Sequence, residues 1–272
     1  MVTAGYTLCD VGTDHGYVPI ALVQSNIIPK AIAVDINKGP LERANEHIRA
    51  NGLTEQITTR LSNGLEAIHD GEVDSIVIAG MGGELVIHIL TAGETVCRSA
   101  KELILQPQSE VSKVREYVRN TGYKIVDEDM ILEDGKYYPM FRCVPCADNS
   151  AWDNMDETTV TVCDLYGPVL IKNGNPVLRK FLVREHHKLA AIMQECAQSE
   201  IYCRLYGISA EIGTLCAAMG EGPYDAPVSG ALMTLSPAAM DRLLQIGDSA
   251  PALSEGIRQK IYASLPVTLC TM

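Results

Sequence analysis

YTLCDVGTDHGYVP, residues 6–19, is the stretch of this 272-residue chain that decides its fold. Residues 6–11 are mostly apolar and predict a buried strand that ends at Gly12. Residues 15–24 predict a helix, so the stretch has the strand–turn–helix form of sheets that bind ligands at the carboxyl ends of their strands. The turn carries Asp14 and His15 where a dinucleotide-binding loop would have glycines.

The same alternation of strand and helix continues downstream. The further predicted strands are 30–36, 57–62, 73–80 and 101–107, and the further predicted helices are 39–52, 84–93 and 110–122. Five alternations predict a parallel sheet with right-handed crossovers and helices on both faces. Residues 123–135 and 136–144 predict two more strands joined by a tight Asp-Gly turn. We therefore expect an α/β, Rossmann-like sheet with a terminal antiparallel β-hairpin.

Polar and glycine residues follow four successive predicted strands. Parallel strands present their carboxyl ends at one edge of the sheet, so these residues should meet there and hold an adenosine-type cofactor. The glycines permit close backbone approach, and an acid after the second strand can accept hydrogen bonds from ribose hydroxyls. The predicted cofactor-binding residues are Asp10, Gly12, Thr13, Gly16, Asp35, Ile36, Asn63, Gly64, Ala79, Gly80, Met81 and Gly82.

The first loop distinguishes between two cofactors. It lacks the G-x-G-x-x-G spacing that lets a helix N-terminus bind a pyrophosphate. Asp10 beside the loop would repel a pyrophosphate and attract an ammonium group. S-adenosyl-L-methionine carries an ammonium and no phosphate, so the loop favours methyl transfer over hydride transfer.

Seven segments together resemble one family, the bacterial tRNA (adenine-N1) methyltransferases that modify adenine 22. They are DVGTDHGYVPI, AVDINKGPLERA, RLSNGLEAI, IVIAGMGGELVIHIL, LILQPQ, VREYVRNTGYKI and EDGKYY, and they follow in order from about residue 5 to 144. A looser likeness continues over 164–189. The resemblance implies a class I methyltransferase domain, S-adenosyl-L-methionine as cofactor, tRNA as partner and a coiled-coil-like helical extension that helps to hold the tRNA. Family members usually carry a helical segment before the first strand, whereas this chain starts at the strand.

Three segments describe the expected domain organisation. Residues 1–146 form the methyltransferase domain, and the polar, acidic residues 147–163 are expected to be a linker. Residues 164–272 are expected to form a smaller helical C-terminal domain. An apolar stripe with a spacing of three or four residues predicts its first long helix. The stripe residues are Leu178, Leu182, Glu185, Leu189, Ile192 and Cys196.

Four residues are candidates for catalysis. N1 of adenine has its own lone pair, so the enzyme must orient the base and balance the positive charge that develops on it. Asp14 and His15 in the first loop suit that task, while capping of the following helix by Asp14 is an alternative that does not exclude it. Gln106, at the end of the fifth strand, and Tyr138, in the hairpin, could contact or stack on the base. Ordinary packing is the alternative for Tyr138.

The segment from residue 172 to 188 contains five basic residues and only one acidic residue, Glu185. They are Lys172, Arg179, Lys180, Arg184 and Lys188. In a chain of net charge −12, this concentration is the predicted contact with RNA phosphates. A solvated helix face is the alternative.

Composition limits the remaining classes of function. The net charge of −12 argues against nucleic-acid binding through bulk positive charge. Nine scattered cysteines fit a reduced, cytoplasmic protein, and the single C-x-x-C of Cys143 and Cys146 lacks the second pair that a zinc site needs. We expect no metal and no membrane segment. Two alternatives to a tRNA methyltransferase stay open, namely a methyltransferase for a small molecule or protein, and an inactive RNA-binding homologue.

Overall fold

The computed structural model describes residues 1–146, 152 and 155–195, with side chains described as far as Lys188. Seven strands and eight helices are assigned within these residues. The strands are β1 (Leu8–Val11), β2 (Ala31–Asp35), β3 (Ile57–Leu61), β4 (Ser75–Met81), β5 (Glu102–Pro107), β6 (Tyr123–Glu133) and β7 (Lys136–Pro145). The helices are α1 (Tyr17–Gln24), α2 (Lys38–Ala50), α3 (Gly83–Ala92), α4 (Glu94–Ser99), α5 (Val111–Asn120), α6 (Glu157–Tyr166), α7 (Pro168–Lys172) and α8 (Pro176–Glu195).

All seven strands belong to one sheet, in the order β3-β2-β1-β4-β5-β7-β6. β1 to β5 are parallel, and β7 pairs antiparallel with β5. The strand order reverses at β1, which lies between β2 and β4. The carboxyl ends of β1 and β4 therefore flank the crevice where ligands bind in open α/β sheets. The predicted fold of the methyltransferase domain, with its terminal hairpin, is confirmed.

The central strands are apolar because helices cover both faces of the sheet. All four residues of β1 are buried, including Asp10, which is 7% exposed. α2 packs through Leu41, Ala44 and Ile48, which recur every three or four residues and so lie on one helix face. Ala44 and Ile48 join Ile20 and Val23 of α1 in one core cluster with Leu8, Ala31 and Ile57, the first residues of β1, β2 and β3.

The turn of the hairpin has the conformation that its sequence predicts. Asp134 and Gly135 both have positive φ, 48° and 75°. Two-residue hairpin turns of this kind match the right-handed twist of the strands, and Asp-Gly is among the sequences that adopt them most readily.

The described residues fall into two compact units. The first comprises residues 1–128 and 138–149, and the second comprises residues 129–137, at the tip of the hairpin, together with residues 150–272. The core of the second unit joins Met130 of β6 to Val162, Leu170, Ile171, Leu178 and Leu182 of the helices. The tip of the hairpin is thus part of the helical unit's core.

The structure differs from two sequence predictions at helix ends. The first helix begins at Tyr17 rather than at residue 15, because Gly16, at φ 70°, is in the left-handed region. α6 begins at Glu157, inside the segment predicted as a linker, and Asp156 caps it by accepting a hydrogen bond from Thr159 N. Residues 147–151, 153 and 154 of the predicted linker lie outside the described residues. The same holds for residues 196–272 of the predicted C-terminal domain.

Candidate functional site

The loop after β1 is shaped by two glycines. Gly12 has φ 75°, and its amide donates to the carbonyl of Val34, as does the amide of Thr13. A Cβ at Gly12 would lie 2.0 Å from Cε of Met81, the last residue of β4. The tip of the Met81 side chain therefore lies against Gly12, and the positive φ of Gly12 favours glycine at this position.

Asp10 lies at the base of this crevice. Its carboxyl group is buried, and burial raises its pKa to about 6, although the neighbouring Thr13 hydroxyl partly offsets this effect. No Lys or Arg of the described residues forms an ion pair with it. A buried carboxylate without a cationic partner is costly, so its presence fits a site for a positively charged ligand.

β4 carries a bulge near its carboxyl end. The pairing of β4 with β5 shifts register between Ala79 and Met81, and the intervening Gly80 has φ 77°. The amide of Gly80 donates to Oε1 of Gln106 at 2.8 Å. Nε2 of Gln106 is buried and has no hydrogen-bond partner among the described residues, so Gln106 supports the loop and keeps a donor that a ligand can satisfy.

Gly82 and Gly83 bring the start of α3 against the segment after β5. A Cβ on Gly83 would lie 2.6 Å from the carbonyl oxygen of Ser109, to which the Gly83 amide donates at 3.1 Å. Gly82 is the N-cap residue of α3. The amino end of α3, which directly follows β4, is therefore packed against the segment after β5.

A depression of about 430 Å³ lies beyond the ends of β2 and β3. Its lining includes Ile36 and Leu61, both more than half exposed, together with Asn63. Ser62 is buried and shapes the turn, because its hydroxyl donates to the carbonyl of Gly64 and accepts from the amide of Ala67. Two exposed aliphatic side chains beside an amide suit a flat heterocycle such as adenine.

Asp35 and Gly64 flank the same depression from the strand ends. Asp35 is partly exposed, and its Oδ1 accepts from the amide of Asn37 at 2.7 Å. Gly64 has φ 58°, and a Cβ there would lie 3.3 Å from the side chain of Ile89. The structure thus brings all twelve predicted cofactor-binding residues to one edge of the sheet.

Asp14 does not cap α1, so that alternative is wrong. The N-cap residue is Gly16, and no side chain caps the helix. Asp14 pairs instead with Arg43 of α2, and its Oδ2 lies 3.2 Å from Nε2 of His15. The hydrogen bond from Arg43 holds the pKa of Asp14 below its usual value, so this exposed carboxylate stays ionised at neutral pH.

Sequence reasoning missed three residues beside this loop. Arg43, Tyr17 and His47 surround Asp14 and His15, and the rings of His15, Tyr17 and His47 lie within 5.1–5.4 Å of one another. Arg43 and His47 are one turn apart on α2, so the helix period could have placed them on one face. Nothing in the sequence showed that this face meets the first loop.

Tyr138 also lies toward the carboxyl edge. β7 runs antiparallel to β5, with Leu105 opposite Phe141. Continuing this register puts Tyr138 beyond the end of β5, near the level of Gln106 and Pro107. Its side chain is partly buried.

The predicted RNA-binding residues lie on α7 and α8 of the second unit. Lys180 and Lys188 are exposed, whereas Lys172 and Arg179 are partly buried. Nζ of Lys188 lies 2.9 Å from Glu185. Arg184 lies over the ring of Tyr137, with its Cζ 4.3 Å from the ring centroid, and Nη1 donates to the carbonyl of Gly135. The guanidinium of Arg184 is thus engaged with the tip of the hairpin.

The described residues contain no cluster of three or more potential metal ligands. Cys143 is buried in β7, where burial raises the pKa of its thiol well above the usual value. Cys146 lies one residue beyond the end of β7. None of the described helices has the length and apolar character of a membrane span.

Comparison of the sequence with known proteins gives one matching family model and a related enzyme. A family model described as "Methyltransferase domain" matches residues 1–141. The tRNA (adenine(22)-N(1))-methyltransferase of Bacillus subtilis (strain 168) is 34% identical over 195 residues, which cover 72% of this chain and 81% of that protein.

Solved structures agree with the sequence match. The crystal structure of the B. subtilis M1A22 tRNA methyltransferase TrmK superposes with a TM-score of 0.66 at 32% identity, covering 80% of this chain and 93% of that one. The structure of M. capricolum TrmK in complex with S-adenosyl-homocysteine has a TM-score of 0.66 at 27% identity, covering 79% and 93%.

Proposed function

The chain belongs to the tRNA (adenine(22)-N(1))-methyltransferase family, and we propose that it transfers a methyl group from S-adenosyl-L-methionine to N1 of adenine 22 in tRNA. The observation that carries the proposal is the 34% identity over 81% of the B. subtilis enzyme. The crevice at the carboxyl ends of β1 to β4 supports it, since that is the ligand-binding edge of such sheets.

The residues of the crevice fit the cofactor part by part. Asp10 pairs with the ammonium of the methionine moiety, and Gly12, Thr13 and Gly16 line the path of that moiety. Asp35 accepts hydrogen bonds from the ribose hydroxyls. The adenine occupies the depression lined by Ile36 and Asn63. Bound S-adenosyl-L-methionine supplies the methyl group, which its positively charged sulfur makes electrophilic.

The protein's part in the reaction is to orient the base and balance charge. N1 attacks through its own lone pair, so no residue needs to activate it. As the bond to N1 forms, positive charge develops on the adenine, and the ionised carboxylate of Asp14 lies on the first loop to offset it. The methylated base then releases a proton from its exocyclic amine, and Asp14 or His15 is placed to accept it.

Gln106 and Tyr138 have supporting roles in this proposal. Gln106 keeps the bulge at Gly80 in place through Oε1, and its Nε2 donates to an acceptor on the base or the cofactor. Tyr138 contacts the base from the β7 side. The loop formed by Ala79, Gly80, Met81 and Gly82 closes the opposite side of the crevice.

The second unit supplies the contact with tRNA phosphates. Lys180 and Lys188 are the exposed candidates on α8, and Lys172 and Arg179 lie near them in sequence. Arg184 contributes mainly by fixing the hairpin tip to α8. We place the protein in the cytoplasm, where its tRNA substrate is found.

A methyl-transfer assay tests the proposal. Labelled S-adenosyl-L-methionine is supplied with unmodified tRNA, with a small-metabolite extract or with a protein extract. Label should enter the tRNA alone. Incorporation only into metabolites or protein would show a different substrate, and cofactor-independent tRNA binding without any transfer would indicate an inactive homologue.

A further inference from the structure

Tyr17 is an exposed aromatic ring at the edge of the cofactor loop. Its side chain is 64% exposed, and it is the only Phe, Tyr or Trp classed as exposed among the described residues. It is the first residue of α1, directly after Gly16. The exposed ring leaves an apolar face on which another flat group can stack.

The ring of Tyr17 is held in a fixed orientation. It lies 5.1 Å from the ring of His15, tilted by 9°, and 5.2 Å from the ring of His47, tilted by 11°. His47 is fixed in turn, since its Nδ1 is 3.0 Å from the carbonyl oxygen of His15. A ring supported by two nearly parallel neighbours loses little rotational freedom when a further flat group stacks on it.

The close contact between α1 and α2 keeps this platform rigid. Ala44 of α2 lies 3.4 Å from where a Cβ on Gly16 would be. Arg43, one turn before His47, pairs with Asp14 across the same junction. The contact of Ala44 with Gly16 and the Arg43–Asp14 pair thus join the platform to the first loop.

We propose that Tyr17, supported by His15 and His47, stacks against a nucleobase next to the target adenine of the tRNA. The inference rests on the proposed function. An unpaired base presents the flat, polarisable face that such a ring accepts, and stacking on aromatic side chains is how proteins hold splayed-out bases. The target adenine must be enclosed beside the cofactor, whereas the Tyr17 ring is open to solvent, so a flanking base is the better occupant.

Steady-state kinetics test the proposal through the KM for tRNA. Tyr17→Ala should raise it by about 5- to 150-fold, the usual effect of removing one stacking contact, and leave the KM for S-adenosyl-L-methionine unchanged. Tyr17→Phe keeps the ring and should restore most of the lost tRNA affinity. Val18→Ala is the matched control, because Val18 is a neighbouring exposed apolar residue without a ring.

Three kinetic outcomes would overturn the proposal. They are a KM for tRNA within twofold of the wild-type value in Tyr17→Ala, an equal loss in Val18→Ala, or a loss of cofactor affinity as large as that for tRNA. The first would show no contact. The second would show nonspecific apolar binding, and the third would show that Tyr17 acts on the cofactor loop.

A fluorescence measurement separates failure of this inference from failure of the proposed function. Transcripts with 2-aminopurine at position 21 or 23 report stacking without any methyl transfer. Binding to the wild-type protein and to Tyr17→Phe should quench one of the two probes, and binding to Tyr17→Ala should not. If both probes behave alike with wild type and Tyr17→Ala, the inference is wrong even if the tRNA is methylated. Quenching that depends on Tyr17 without methylation would support the contact and leave the proposed reaction in doubt.

Discussion

Asp10 is the residue that we propose to pair with the ammonium of the cofactor. Burial raises its pKa to about 6, whereas an ammonium ligand requires the ionised carboxylate. The amino group of the cofactor stays protonated below pH 7. Affinity for S-adenosyl-L-methionine should therefore fall by up to about tenfold for each pH unit below 6, as titration calorimetry between pH 5 and 8 would measure. Asp10→Asn should bind weakly at every pH, and an unchanged pH profile in that variant would contradict this role.

The same carboxylate should destabilise the cofactor-free protein at neutral pH. The pKa of Asp10 is higher in the folded state, about 6, than the ordinary value of 3.8, so folding favours the protonated form. The cost is absent below pH 4, grows as the pH rises to 6 and is then constant at about 3 kcal/mol. Asp10→Asn should accordingly raise the free energy of unfolding in urea at pH 8 and change it little at pH 4. Equal effects at both values of pH would show that Asp10 is not the titrating group.

Gly12 is where an added methyl group should harm binding more than folding. Ala at this position meets an unfavourable φ of 75° and the tip of the Met81 side chain, which must shift to make room. Gly12→Ala should weaken S-adenosyl-L-methionine binding at least tenfold. Gly52→Ala is the matched control, since Gly52 has φ 67° with open space around it and carries the backbone strain alone. Similar melting temperatures with cofactor affinity lost only in Gly12→Ala would separate the two effects, and equal cofactor affinity would contradict the assignment.

The positions of the proposed cofactor-binding residues in the fold were easier to predict than the contacts of Asp14 and His15. Asp10, Asp35 and the glycines follow directly from strand ends in a parallel sheet. Asp14 was open to two interpretations, because a helix start favours a capping acid, yet Gly16 occupies the N-cap position. Its partner Arg43 lies 29 residues away, and such pairing depends on how α1 and α2 pack.

At the scale of elements, Arg184 holds the hairpin tip against α8. Its guanidinium lies over Tyr137 and Phe181, donates to Gly135 and also pairs with Glu185. Arg184→Ala should destabilise the second unit by about 1–2 kcal/mol and speed hydrogen exchange over residues 129–137. Lys188→Ala removes another contact with Glu185, at the surface, and should have almost no effect. Equal exchange rates in the two variants would show that the aromatic contacts do not hold the tip.

Helices and strands with a strong local sequence pattern were predictable. Features that depend on packing between distant parts of the chain were not. The hairpin follows from Asp134-Gly135 between two strand-forming runs. α4 and α6 were missed, since six residues of α4 give too short a pattern and the acidic residues before α6 suggested a linker. The contribution of Met130 to the helical core depends on contacts with residues more than 30 positions away, which no local pattern reveals.

At the scale of the whole molecule, a chain of net charge −12 must bind a polyanion through a local basic surface. If Lys180 and Lys188 each contact a phosphate, the double variant Lys180→Ala/Lys188→Ala should reduce the slope of log K against log salt by about 1.5. Lys30→Ala is the control. Lys30 is exposed and directly precedes β2, so it lies at the amino edge of the sheet rather than at the carboxyl edge. An unchanged slope in the double variant, measured by filter binding of tRNA between 50 and 200 mM salt as roughly the useful range, would remove α8 from the interface.

The proposed reaction is methylation of N1 of adenine 22 in tRNA. Its most direct test is nucleoside mass spectrometry, with mapping of the modified position, on an unmodified tRNA transcript incubated with the purified protein and S-adenosyl-L-methionine. The expected result is N1-methyladenosine at position 22, and none in a transcript with guanine there. Absence of N1-methyladenosine from the first transcript, or its presence in the second, would contradict the claim.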